Sequence, residues 1–342
     1  MSKYAEVLGQ RIRIGNFPTP FQQLSRLGKK YAVPSLWIKR DDLTDIALGG
    51  NKIRKLEFHL RAALNEGADT LLTFGGPQTN HGRLTAAVAT VYGLKSILVL
   101  DGEKPDCFSG NLLLDKFLQA DLRFVGTRNK REYVEEIVSE YEALGHKVFI
   151  IPMGGSNGLG TLGYIVMMAE LAEQIKANNI DPSHLFVAVG SAGTLAGISL
   201  GAQLFGMRNL QIRGIPVFPP GEMNIVERTD NLIQAAIELI GSKDMLTLSR
   251  NYEIDYGPED APFSGIGYNM PDGKTFAAIN EFAANEAIIL DPCYTGKAGR
   301  ALLTFLEQEA TAEDTVIFVH TGGAPGLWSK VHMDYINGLS RE

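Results

Sequence analysis

Lys52 follows a Gly49-Gly50-Asn51 turn and opens the charged run Lys52-Ile53-Arg54-Lys55-Leu56-Glu57. A lysine there would stand at the start of a helix beginning near Ile53. The positive helix terminus and partial burial would both favour its neutral amine, the form that Schiff-base chemistry requires. Taken alone, Gly-Asn-Lys more often marks a solvated lysine after a turn, so this reading needs support from elsewhere in the chain.

Three further glycine-rich loops hold groups that could do chemistry. Gly190-Ser191-Ala192-Gly193-Thr194 lies between an apolar run and an apolar stretch of helix length. Backbone N–H groups of such a turn, with a helix N-terminus behind them, suit a phosphate. The loop has neither the lysine of a P-loop nor the Gly-x-Gly-x-x-Gly spacing of a dinucleotide site. Gly75-Gly76-Pro77-Gln78-Thr79-Asn80-His81 precedes an Ala-rich stretch that Thr79 and Asn80 would cap, leaving N–H groups for a carboxylate. Capping alone also accounts for Thr and Asn, and His81 suits either a ligand contact or a local hydrogen bond. Gly154-Gly155-Ser156-Asn157-Gly158 fits Gly-x-Ser-x-Gly, and Asp291 and His320 would complete the hydrolase order Ser, Asp, His. No oxyanion segment of the His-Gly-Gly-Gly type precedes it, so a serine hydrolase on Ser156 is the weaker alternative.

These loops need elements to hold them. Apolar runs of strand length occur at 71–74, 96–100, 122–125, 147–152, 185–189, 212–217 and 315–319. They alternate with stretches of helix length at 82–92, 111–120, 132–144, 159–177, 194–205 and 224–240. The strand-like runs are continuously apolar rather than alternating, which predicts an α/β chain: parallel sheets covered by helices on both faces. In such sheets ligands sit at the carboxyl ends of the strands, where these four loops fall.

With 342 residues, 45% of them hydrophobic, the chain has material for two domains and a sizeable core. There is no low-complexity linker, so interleaved domains fit as well as consecutive ones. A formal net charge of -7 argues against broad contact with nucleic acid. The opening MSKYAEVLGQ has no basic-then-apolar signal segment, and no apolar run approaches membrane-spanning length. Cys107 and Cys293 are the only cysteines and have no Cys-x-x-Cys spacing. Neither a disulfide framework nor a metal site is therefore supported. An enzyme of a reducing compartment, by default the cytoplasm, is expected.

Six motifs follow one another in one order: Lys39-Arg40-Asp41-Asp42; Gly49-Gly50-Asn51-Lys52-Ile53-Arg54-Lys55-Leu56-Glu57; Gln78-Thr79-Asn80-His81; Gly154-Gly155-Ser156-Asn157; Asp291-Pro292-Cys293-Tyr294-Thr295-Gly296-Lys297; and His320-Thr321-Gly322-Gly323-Ala324-Pro325. Together, from about Pro18 to Leu327, the chain resembles the D-cysteine desulfhydrase and 1-aminocyclopropane-1-carboxylate deaminase family of fold-type-II pyridoxal-phosphate enzymes. Each motif is modest alone; six in register are specific, and they lift Lys52 above the solvated-lysine reading.

The resemblance implies two interleaved, open, twisted, mostly parallel sheets with helices on both faces, as in the tryptophan-synthase β fold. It further implies a large cofactor domain from residues 1–57 and 160–342, a small domain from 58–159 that closes over substrate, and a homodimer. It makes Lys52 the Schiff-base lysine, sets Asn80 against the ring hydroxyl of pyridoxal phosphate, and makes Gly190, Ser191, Ala192, Gly193 and Thr194 the phosphate cradle. Thr321 falls where the family partners the pyridine nitrogen. Gln78, Thr79, Asn80 and His81 fall at the substrate carboxylate, and Tyr268 and Tyr294 match two active-site tyrosines. The relatives usually carry Ser at the position of Thr79, whose extra methyl would lie beside the substrate. The cyclopropane-opening members carry Glu at the position of Thr295 and Leu at that of Thr321, so this chain sides with the desulfhydrases. The expected reaction is thiolate loss from D-cysteine; cysteate sulfo-lyase and cyclopropane deaminase activities are the alternatives.

Overall fold

The computed structural model describes residues 4–241 and 250–338. Among the described residues there are ten strands: β1 (Phe21–Gln23), β2 (Ser35–Arg40), β3 (Thr70–Gly75), β4 (Lys95–Leu100), β5 (Asp121–Phe124), β6 (Val148–Ile150), β7 (His184–Val189), β8 (Gln211–Pro216), β9 (Tyr252–Ile254) and β10 (Thr315–His320). The helices in the first half are α1 (Ala5–Gly9), α2 (Ser25–Lys30), α3 (Lys52–Asn65), α4 (Asn80–Val91), α5 (Gly110–Phe117) and α6 (Lys130–Ala143). Those in the second half are α7 (Gly158–Ala177), α8 (Gly193–Leu204), α9 (Ile225–Leu239), α10 (Gly273–Glu286), α11 (Thr295–Gln308) and α12 (Lys330–Ile336).

The strands form two sheets, ordered β1-β2-β10-β7-β8-β9 and β5-β4-β3-β6. Only β1 runs antiparallel to its neighbour. The second sheet is drawn wholly from the chain between β2 and β7, so the larger sheet is begun, left, and resumed. This is the interleaved arrangement that the family resemblance implies, where the apolar pattern alone left consecutive domains equally open.

Both faces of each sheet are covered, which is why the central strands β4, β7 and β10 each carry a continuous apolar run. On β7, Phe186 and Ala188 pack with Ile279 and Phe282 of α10 and Leu302 of α11. Leu185, Val187 and Val189 pack on the opposite face with Leu171 of α7 and Leu195 of α8. In the smaller sheet Ile97 and Val99 of β4 meet Tyr133 and Ile137 of α6. Leu98 and Leu100 meet Ala86 of α4 and Leu112 of α5.

One polar core interrupts this packing, and it explains the Lys-Arg-Asp-Asp motif. Asp41, fully buried, accepts from Arg54 Nε at 2.7 Å and Nη2 at 2.8 Å, from Tyr164 Oη at 2.7 Å and from Thr19 Oγ1 at 2.8 Å. Arg54 also reaches Glu170, which Lys39 contacts in turn. A buried charge is tolerated only when its partners satisfy it. Here the network ties α3, the helix that Lys52 begins, to β2 and α7.

Candidate active site

The loops after β3, β7 and β10 and the start of α3 converge on one cleft. It is lined by Asn51, Lys52, Asn80, Gly190, Ser191, Ala192, Thr194, Tyr294 and Thr321, with Ala188, Val189, Leu195 and Gly322 completing it. Lys52 is the first residue of α3 and is half-buried. Desolvation pushes its amine down to about 8, toward the neutral form.

Asn51, not singled out from the sequence, fixes that lysine from two sides. Its backbone N–H donates to Thr321 O at 3.0 Å and its Nδ2 to Thr194 Oγ1 at 3.0 Å. One residue thus holds the start of α3 to the turn before α8 and to the loop after β10.

The 190–194 turn delivers the N-terminus of α8, with Ala192 in the left-handed region at φ 65°. Beneath it lies Lys55, also missed from the sequence, with its side chain wholly buried. Its Nζ donates to Ser156 Oγ at 2.9 Å and to Gly154 O at 3.3 Å, and Ser156 Oγ bonds Ser191 Oγ at 2.7 Å. A Cβ on Gly193 would lie 2.6 Å from Ser156 Oγ and 2.9 Å from Lys55 Nζ, so only glycine allows this approach. Burial, then the charges of Lys52 and Arg228, hold the Lys55 amine well below its usual range.

The same floor contains two neutral imidazoles. His59 is pushed down to about 4, chiefly by burial. His81 is pushed further down by burial and by the neighbouring lysines, and neither of its ring nitrogens has a partner among the described residues. Five basic groups, Lys52, Lys55, His59, His81 and Arg228, are thus gathered with no described carboxylate bonded to the two lysines. The turn N–H groups, the α8 terminus and this cluster of basic donors suit a dianionic phosphate.

Other expected residues lie in or around the cleft to different degrees. Tyr294 lines it and exchanges a 2.6 Å hydrogen bond with Tyr268, whose ring stacks on Phe218. Burial raises both phenols well above 10, so both stay protonated at neutral pH. Thr79 caps α4, accepting from Gly82 N at 3.2 Å. Its methyl faces the glycines: Cβ atoms on Gly82 and Gly75 would lie 2.5 and 3.0 Å from Thr79 Cγ2. The Gln78 carboxamide turns away to α5, donating to Ser109 O at 2.9 Å and accepting from Asn111 N at 2.9 Å. Thr295 is fully buried, with its hydroxyl bonded to Asp291 at 2.8 Å.

The hydrolase constellation does not assemble. Ser156 meets a lysine and a serine, whereas His320 is bonded to Ile289 O and Gly322 N, and Asp291 accepts from the N–H groups of Cys293, Tyr294 and Thr295. Among the described residues no group of three or more His, Cys, Asp or Glu could hold a metal, and no helix is long and apolar enough to cross a membrane.

The model of the family described as pyridoxal-phosphate dependent enzyme matches residues 12–322. This chain belongs to that family. Within the pyridoxal-phosphate-dependent enzymes it is 39% identical over 327 residues to the D-cysteine desulfhydrase of Yersinia enterocolitica, covering 92% of this chain and 94% of that one. A crystal structure described as an ACC deaminase homologue superposes with a TM-score of 0.86 at 34% identity, covering 99% of this chain and all of the other. The threonine deaminase isoform 2 of Solanum lycopersicum, at 15% identity and a TM-score of 0.67 over 99% of this chain and 87% of that one, shares the fold. The chain is thus a fold-type-II pyridoxal-phosphate enzyme of the desulfhydrase and deaminase group, and the basic, glycine-floored cleft fits that cofactor.

Proposed function

We propose that this enzyme catalyses β-elimination from D-cysteine, consuming water and releasing hydrogen sulfide, pyruvate and ammonia. The observation that carries the reading is the Lys52 amine, poised near neutrality by desolvation and held by Asn51 against the 190–194 turn. Lys52 would hold the aldehyde of pyridoxal phosphate. The turn N–H groups, Ser191 and Thr194 would hold its phosphate above Lys55, Asn80 its ring hydroxyl, and Thr321 its pyridine nitrogen. When bound, the cofactor supplies the electron sink that lets a Cα–H bond break.

The remaining work belongs to the protein. The N–H groups at the start of α4, in Thr79, Asn80 and His81, orient the substrate carboxylate. Neutral Lys52 takes the Cα proton at Nζ, since a base poised near the working pH is the most effective. The Tyr294 phenol, kept protonated and braced by Tyr268, donates a hydrogen bond toward the departing sulfur. Thr321 offers a neutral hydroxyl to the ring nitrogen and does not enforce its protonation as a carboxylate would, which favours prompt loss of the β-substituent. Thr295 and Thr321, at positions where the cyclopropane-opening members of the group carry Glu and Leu, favour cysteine over a cyclopropane substrate, while identities of 39% to a desulfhydrase and 38% to a putative 1-aminocyclopropane-1-carboxylate deaminase are compatible with either.

Residues 58–159, which contain the whole smaller sheet, are assigned the role of a small domain closing over substrate. The enzyme is placed in the cytoplasm as a homodimer, in keeping with its two unpaired cysteines. The decisive experiment scores oxo acid from a panel of D-cysteine, L-cysteine, cysteate, β-chloroalanine, D-serine and 1-aminocyclopropane-1-carboxylate. D-Cysteine should give the highest kcat/KM, and Lys52→Ala should abolish turnover. Turnover of the cyclopropane substrate alone would sink the reading.

A further inference from the structure

We propose that Asn111 is a positioning residue that fixes the polarity of Asn80, so that Asn80 presents an N–H donor, never a carbonyl, to the cofactor. The proposal rests on the reading that Asn80 faces the ring oxygen of pyridoxal phosphate.

An asparagine side chain carries a donor at one end and an acceptor at the other, and rotating it by half a turn exchanges them. The orientation of Asn80 therefore decides what the cleft offers. Asn111, the second residue of α5, is fully buried, and its neighbours determine its own orientation twice over. Arg83 Nε lies 2.7 Å from Asn111 Oδ1. Guanidinium only donates, so that end must be oxygen. At the other end Asn111 Nδ2 lies 3.0 Å from the backbone carbonyl of Gln78. A carbonyl only accepts, so that end must be nitrogen.

Arg83 has no freedom to relax the arrangement. It is fully buried, with Nη2 donating to Gly49 O at 3.0 Å and Nη1 to Ala47 O. The second N–H of Asn111 Nδ2 then points at Asn80 Oδ1, 2.9 Å away. Asn80 must turn its oxygen to Asn111 and its amide nitrogen the other way. Nδ2 of Asn80 has no acceptor among the described residues, and Asn80 lines the cleft.

The consequence is chemical. A donor stabilises the deprotonated ring oxygen of the cofactor; a carbonyl would stabilise the protonated one. The chain Arg83, Asn111, Asn80 thus sets the protonation state that the site prefers without Arg83 or Asn111 touching the cofactor. It also links that preference to the 47–49 turn ahead of Lys52, whose carbonyls hold Arg83.

Asn111→Asp tests the idea with almost no change of shape, though it also sets a carboxylate oxygen against the Gln78 carbonyl, an effect that the Asn80→Ala background separates out. The new carboxylate still accepts from Arg83, but it can only accept from Asn80, which must turn round and present its carbonyl to the ring oxygen. Cofactor affinity, titrated into apoprotein, should fall by about tenfold or more, the scale of one hydrogen bond to a charged oxygen. The pH midpoint of the visible band of loaded enzyme should move by about one pH unit, the same tenfold ratio read as protonation. Asn111→Ala, which leaves Asn80 free to take either orientation, should give a smaller loss, and thermal melting of each apoprotein reports folding separately.

The decisive comparison uses Asn80→Ala. In that background Asn111→Asp should have no further effect on affinity or on the band, because the group it acts through is gone. An equal loss with and without Asn80 would show a merely structural role and overturn the proposal. A normal band and affinity in Asn111→Asp, with both altered in Asn80→Ala, would overturn it while leaving Asn80 at the cofactor. No effect from Asn80→Ala itself would remove the reading of Asn80, and the proposal with it.

Discussion

At the scale of single residues, two lysines three positions apart, one half-buried and one wholly buried, have opposite duties. Lys52 must lose its proton to react, and its folded value of about 8 lies below the ordinary lysine value. Between about pH 8 and 10 the unfolded apoprotein therefore binds more protons than the folded one, so stability rises with pH across that window and is lowest below it. Apoprotein unfolding measured against pH should show this slope, Lys52→Met should flatten it, and the rate of cofactor loading should climb through pH 8. Lys55 is buried without an acidic partner and is costly until an anion arrives. Lys55→Met should leave apoprotein melting unchanged or raised while weakening cofactor binding by about tenfold to a hundredfold. An apoprotein that instead unfolds more easily would contradict that role. Tyr294→Phe keeps the ring but removes the proton donor; turnover should fall by about a hundredfold with the visible band retained. Thr79→Ser removes a methyl that faces Gly75 and Gly82, so the panel's substrate ranking should stay the same at a cost of about 1 kcal/mol in stability.

At the scale of elements, β4, β7 and β10 were legible because each carries an unbroken apolar run, and β3 and β8 also fall where predicted although Thr73 and Arg213 interrupt theirs. The strand β2 was missed for a physical reason: its sequence, Ser-Leu-Trp-Ile-Lys-Arg, contains charge, and only tertiary pairing of Lys39 with Glu170 makes it a core strand. Strands β1 and β9 have three residues each, too few to show a period. Helix α11 opens Thr-Gly-Lys-Ala-Gly, and glycines there disguise a helix packed close against Leu290 and Asp291. Lys52, Asn80, Gly190, Thr194, Tyr294 and Thr321, singled out from the motifs, line one cleft, and their roles there are proposals. Asn51, Lys55 and Asn111 were not singled out, because their roles lie in partners 140, 100 and 30 or so positions away. The Asp41–Arg54 pair belongs to this scale as well. Arg54→Met strands Asp41 and leaves Glu170 to Lys39 as its remaining cation, and chemical denaturation should register a loss of about 3–5 kcal/mol; a neutral result would mean that α3 is held by apolar contacts alone.

At the scale of the whole molecule, the cleft is assembled from residues between Asn51 and Gly322, and both sheets contribute loops to it. The order β2-β10-β7 places the last strand of the chain in the interior of its sheet, between partners laid down far earlier. A growing polypeptide that has made residues 1–314 therefore has a gap where two neighbours should hydrogen-bond, and it lacks Thr321, the anchor for Asn51. The cleft is therefore complete only once β10 and Thr321 are in place. A chain truncated at residue 314 should accordingly bind no coenzyme and yield readily to limited proteolysis, whereas one that runs through residue 322 should hold it and resist cleavage.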